Sequence, residues 1–134
     1  MKDFIIRFLV AGGIMGVLDA LWLVLVANNF YKSQLGSLLL EKPNMPAAIL
    51  FYIIYVVGIV AFVISPALEK QSWQHALGYG ALFGLVAYAT YDLTNLATLK
   101  GFTLKLVAVD LLWGAALTGV VSLATYLIVN QWLR

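Results

Sequence analysis

Three carboxylic acids, Asp19, Asp92 and Asp110, interrupt stretches that are otherwise apolar. A carboxylate set among apolar side chains can hold a cation, carry a proton or activate water, and two of them can divide acid and base roles. Each costs about 2.5–3.5 kcal/mol at the centre of an inserting helix, and less toward its ends. Three in a chain of 134 residues need a reason, and acids inside membranes usually serve a site. The same stretches carry Trp22, Tyr88, Tyr91, Asn95 and Trp113. Together with the three aspartates these are the candidate binding residues, and Asp92 and Asp110 are the candidates for a catalytic pair. Thr94 is a further polar neighbour.

Other chemistry is excluded. There is no cysteine, hence no disulfide, thiol nucleophile or cysteine metal site. No glycine-rich phosphate loop, metal-spacing histidine pair or nucleophile elbow is present, so no metal or cofactor is expected. The net charge of +2 is small and scattered, which argues against nucleic acid as a partner. His75, the single histidine, opens the third apolar stretch on the surface away from the aspartates and reads as an interfacial residue.

The elements that must position the acids follow from composition. The chain is 63% hydrophobic and 10% charged, against roughly 25% charged in soluble proteins. A membrane-spanning helix needs about 20 mainly apolar residues. Four stretches meet that length, at residues 4–27, 46–66, 75–97 and 104–129. The expected fold is an all-α membrane protein, a compact antiparallel bundle of four transmembrane helices forming one membrane domain over residues 1–134, with the lipid bilayer as its first partner. The first stretch has the Lys2 and Arg7 flank of a signal peptide. It is too long, and lacks a small-x-small cleavage site, so it reads as a retained helix.

Asn28, Asn29, Phe30, Tyr31 and Lys32 form a polar and aromatic belt of the kind found at a membrane interface. Ser33–Leu40 is mildly amphipathic and suits either a short surface helix or a plain loop. Pro43 and Pro46 punctuate the start of the second helix, which the sequence ends at Ser65–Pro66. Tyr31, Trp73 and Trp132 read as interface anchors. Short links make successive helices antiparallel neighbours and put both termini on one side. Lys2, Arg7, Lys70 and Arg134 then oppose Lys32, Lys42, Lys100 and Lys105, a balanced count. The α-amino group tips it toward cytoplasmic termini, and the balance also suits insertion in both orientations.

Antiparallel packing places the acids in one layer. Asp19 lies eight residues before Ala27, Asp92 six before Thr98, and Asp110 just inside the fourth helix. At 1.5 Å per residue all three fall roughly 8–12 Å below the surface that carries Lys100. Their faces agree as well. Gly12, Gly16 and Asp19 form one stripe; Ala81, Gly84, Tyr88, Asp92 and Asn95 a second; Asp110, Gly114, Thr118, Val121 and Thr125 a third. Small residues at this spacing let helices approach closely. The acids are therefore expected to surround one cavity open toward Lys100. Tyr52 and Tyr55 enter from the same side. Asp-x-x-Trp occurs twice, at Asp19 and at Asp110, but on helices of opposite direction. It is thus no tandem repeat and carries little weight here.

The runs Leu18–Trp22, Tyr91–Lys100 and Val109–Gly114, above all Tyr91-Asp92-Leu93-Thr94-Asn95, resemble a bacterial family of predicted membrane proteins, the domain of unknown function numbered two-one-seven-seven. The resemblance covers essentially the whole chain. It implies a four-helix protein of the bacterial inner membrane and implies no activity.

Three functions compete. The first is binding or transport of a small cationic or lipid-like ligand at an acidic, aromatic pocket, with protonation coupled to ligand exchange. The size, helix count and acid in helix one are similar to those of small multidrug-resistance transporters, and such a protein would form a homodimer to enclose a path. The second is an intramembrane hydrolase in which Asp92 and Asp110 share a proton, a placement similar to that in lipoprotein signal peptidase. The third is an accessory subunit of a membrane complex, with the acids as polar glue for a partner helix. In that case helix two, which lacks charge, is a natural lipid or partner face. The plain structural alternative has the acids tie this chain's own helices together or pair with Lys100 or Lys105.

Overall fold

The computed structural model describes residues 2–27, 30 and 44–133, and no strand occurs among them. The interface belt at Asn28, Asn29, Tyr31 and Lys32, the amphipathic segment at 33–40, Lys42, Pro43 and Arg134 lie outside the described residues. Four long helices make up the described part: α1 (Lys2–Trp22), α2 (Met45–Lys70), α3 (Trp73–Thr98) and α4 (Leu104–Trp132). α1 continues as a π-helical stretch, Leu23–Ala27.

Each later helix starts at a side-chain cap. The Ala47 N–H donates to Asn44 Oδ1, the His75 N–H to Ser72 Oγ and the Leu106 N–H to Thr103 Oγ1, at 3.2, 3.0 and 3.2 Å. These bonds satisfy backbone donors that the first helical turn leaves without a partner. Gln71 closes α2 with a left-handed φ of 51°, and the reversal into α3 takes two residues. The link from α3 to α4 turns at Gly101, whose φ of +84° suits a residue without Cβ.

α2 departs from the sequence expectation. It does not end at Ser65–Pro66 but runs through Pro66 to Lys70. Proline lacks the N–H that an α-helix would donate four residues back. The helix absorbs the defect in a π-helical stretch, Val60–Ile64, where the Ser65 N–H reaches back five residues to the Val60 carbonyl.

α1, α2 and α4 are long and apolar enough to cross a membrane, by length and composition. α3 has the length, 26 residues, but Gln74, His75, Thr90, Asp92, Thr94 and Asn95 lower its apolar content, so it falls short of the other three where four equal spans were expected. The chain is an all-α membrane protein.

Helices consecutive in the chain run antiparallel, as do α1 and α4, while α2 and α4 meet running the same way. On α1 and α2, Arg7 Nη1 donates to Ser65 Oγ at 2.8 Å, while Gly12 and Gly16 face Tyr52 toward the other end. α3 and α4 pack most closely: Gly80 faces Ser122, and Gly84 lies against Gly114 and Thr118. A Cβ built on Gly84 would stand 2.0 Å from the Gly114 carbonyl oxygen, so only glycine permits this crossing. α2 meets α3 through the π-helical stretch and diverges from it toward Met45. The main core lies where α1, α2 and α4 converge, around Met15, Val56, Ile59, Ile64, Leu117 and Val121. A smaller cluster of Phe102, Leu106 and Val107 closes the other end. On α4, Asp110 and Trp113 fall between the two.

Candidate functional site

The divergence of α2 from α3 opens a cavity of about 310 Å³. Phe51 and Tyr55 of α2, Ala87, Tyr88 and Tyr91 of α3, and Asp110 of α4 line it. The local sequence explains the lining. Phe51 and Tyr55 are one turn apart on α2, as are Ala87 and Tyr91 on α3, so each pair shares a face. Asp110 is 7% exposed. The wall is therefore apolar and aromatic, with a single carboxyl group.

The aromatic rings are held in place. Tyr55 and Thr118 share a buried hydrogen bond of 2.7 Å between hydroxyls. Its ring meets Phe83 and Tyr88 edge to face, with centroids 5.4 and 6.4 Å away. Tyr88 lies over Gly114, where a Cβ would come within 2.3 Å of the ring. Tyr91 packs edge-on against Phe102 and hydrogen-bonds Asn95, one turn on. Substitutions that loosen these contacts would reshape the cavity without touching Asp110.

The three aspartates occupy three different environments. Asp19, half-buried on α1, accepts a hydrogen bond from the Trp113 side chain. The Trp113 ring in turn stacks on Trp22, with centroids 4.3 Å apart and planes 9° from parallel. The two Asp-x-x-Trp motifs discounted on sequence grounds thus meet. A two-fold relation between antiparallel helices preserves chain order, so equal motifs on α1 and α4 can converge on one point. The join is asymmetric, since the indole Nε1 of Trp22 is buried with no hydrogen-bond partner among the described residues.

Asp92 is fully buried, at 0% exposure, and neither carboxyl oxygen has a hydrogen-bond partner among the described residues. Tyr88 stands within electrostatic reach of both Asp19 and Asp92, and Tyr91 within reach of Asp92. The expectation that all three acids surround one cavity is not met. Asp110 lines it, Asp19 belongs to the α1–α4 seam, and Asp92 is packed behind Tyr88 and Tyr91. α1 supplies none of the lining residues, because α2 and α4 separate it from α3.

Of the residues singled out from the sequence, the cavity gathers Tyr88, Tyr91 and Asp110. The seam gathers Asp19, Trp22 and Trp113, while Asn95 holds Tyr91. Sequence reasoning missed Phe51 and Ala87. Phe51 could have been found as the residue one turn before Tyr55, and their rings do meet, 5.4 Å apart. Ala87 carries no signal beyond its small size. No cluster of three or more potential metal ligands occurs among the described residues.

No match to the chain is found among curated proteins or solved structures. One family model does match, over residues 4–127, which carry every residue of the cavity and of the seam. The chain belongs to the family described as predicted membrane protein (DUF2177).

Proposed function

We propose that the protein binds a small cationic ligand with an apolar body, taken up from the bilayer between α2 and α3. The observation that carries this reading is the cavity of about 310 Å³ whose wall combines the rings of Phe51, Tyr55, Tyr88 and Tyr91 with one carboxyl group, Asp110. Aromatic faces attract cations, by about 2 kcal/mol or more once desolvated, and a carboxylate supplies the opposing charge. The volume lies at the lower end of the usual range for small-molecule sites.

In this reading α3 crosses the membrane beside α4. The two run antiparallel in close contact from Gly80–Ser122 to Gly84–Gly114, so they reach the same depth. Both termini then share one side of a bacterial inner membrane. The aspartate-pair hydrolase draws less support. A shared proton needs two carboxyl groups in hydrogen-bond contact, and the oxygens of Asp92 have no such partner among the described residues. The purely structural role fits Asp19, which ties α1 to α4, and does not fit Asp92.

The test is titration of benzyltrimethylammonium into protein held in zwitterionic nanodiscs, by calorimetry, for wild type and Asp110→Asn. Saturable binding that weakens by at least about tenfold in the variant, equivalent to 1.4 kcal/mol, supports the reading. Equal binding to both proteins, or none to wild type of intact helicity, overturns it.

A further inference from the structure

The cavity does not end at its tyrosines. A second depression, of about 350 Å³, runs along the same α2–α3 seam and is lined by Phe62, Tyr79, Leu82, Val86 and Ala87 among others. Ala87 borders both spaces, and no other residue lines both. Its side chain stops at Cβ, so the wall is lowest where the two meet. The groove is almost wholly apolar, and Phe62, Leu82 and Val86 are exposed at 72, 50 and 57%. It follows α3 from Ala87 back to Tyr79, away from Asp110. From Tyr91 to Tyr79 the helix rises about 18 Å.

We infer that the ligand is a single-chain amphiphile, with its cationic head beside Asp110 and its alkyl chain laid in the groove between α2 and α3. This rests on the proposed cation pocket and goes beyond it by assigning the tail. Charge places the head, because Asp110 is the one carboxyl group on the combined surface. Continuity through Ala87 places the tail. Lipid chains are as apolar as the groove, so the groove adds little affinity. What it supplies is a direction for the chain, along α3 from Ala87 toward Tyr79. Phe62 and Val63 of the π-helical stretch form one wall of this track, and Tyr79, Leu82, Phe83 and Val86 of α3 the other.

Two photoreactive forms of dodecyltrimethylammonium test the assignment, one with a diazirine at the head and one with it at the chain end. Each is cross-linked to the full chain in nanodiscs and mapped by peptide mass spectrometry. The expected result is head labelling at Tyr88 and Tyr91 and tail labelling at Phe62 and Tyr79. Leu82→Trp, which fills the groove at an exposed position, should cause loss of the tail label and leave the head label in place. Head labelling at the tyrosines with tail labelling spread over lipid-facing α1 and α4 overturns the groove while leaving the pocket. A tail label that Leu82→Trp does not diminish also overturns the groove. Head labelling with no preference for the tyrosines overturns both.

Discussion

Replacing Asp92 by leucine should stabilise the protein, whereas the same change at Asp19 should destabilise it. The two side chains have the same branching, but leucine puts larger methyl groups in the place of the carboxyl oxygens, so the change adds volume as well as removing polarity. At Asp92 both oxygens are buried and lack a partner among the described residues. A buried polar group left in that condition costs about 1–3 kcal/mol. In membranes the figure lies toward the lower end, because the unfolded chain also finds partners there. The larger methyl groups crowd a packed site by about 1 kcal/mol, the low end for added methylenes, against two orphaned oxygens relieved at about 1 kcal/mol each. The net expectation for Asp92→Leu is a gain of about 1 kcal/mol. Asp19→Leu instead removes the acceptor of the Trp113 side chain and leaves a second orphaned indole beside that of Trp22. That should cost about 0.6 kcal/mol, the average for a hydrogen bond between membrane helices, and up to about 1.7. Reversible unfolding in mixed micelles, followed by far-ultraviolet circular dichroism, measures both. The opposite signs make the comparison robust to a general effect of added hydrophobicity. A loss at Asp92 as large as that at Asp19 would refute the reasoning, because it would mean that Asp92 is engaged and not held at a cost.

Gly84→Ala should separate α3 from α4 and destabilise by about 1–3 kcal/mol or more, since its Cβ meets the Gly114 backbone; Gly78→Ala, with nothing within 4 Å, is the control in the same unfolding assay. Tyr55→Phe should lose about 1 kcal/mol, because it orphans the Thr118 hydroxyl as well as breaking the bond, and Tyr55→Phe/Thr118→Val should recover part of that loss. Trp22→Phe and Trp113→Phe both shrink the stacked pair, but the N–H lost at Trp22 has no partner among the described residues, so Trp113→Phe should cost about 0.6 kcal/mol more; parallel unfolding curves for the two variants check the difference.

The level at which α1 approaches α4, near Asp19, and that at which α3 approaches α4, near Gly84, follow helix order, and neither depends on side-chain detail. The glycine stripes were legible for a similar reason, since a residue without a side chain marks a close crossing wherever it recurs at helical spacing. Lateral position was not legible. Whether Asp19 shares a cavity with Asp110 depends on which helices touch. Sequence offers no rule that sets α1 against α4 and leaves α2 splayed from α3. Pro66 misled because proline usually ends a helix, and the π-helical stretch that rescues it has no composition of its own: Val60-Ala61-Phe62-Val63-Ile64 looks like any apolar turn. The paired Asp-x-x-Trp motifs were visible but undervalued. Opposite helix direction argues against a tandem repeat, yet direct packing of antiparallel helices is what brings equal motifs together.

The stacked pair of Trp22 and Trp113 has a consequence for observing the molecule. Two of the four tryptophans are near-parallel indoles 4.3 Å apart on different helices, while Trp73 and Trp132 lie apart on exposed surface, 48 and 73% accessible. Transition dipoles that close couple as an exciton pair, and the coupling falls with the cube of their separation. The protein therefore carries a built-in optical gauge of the α1–α4 seam. Any event that parts those helices alters the coupled near-ultraviolet signal of the pair without a label, and the two exposed tryptophans supply the unchanged reference.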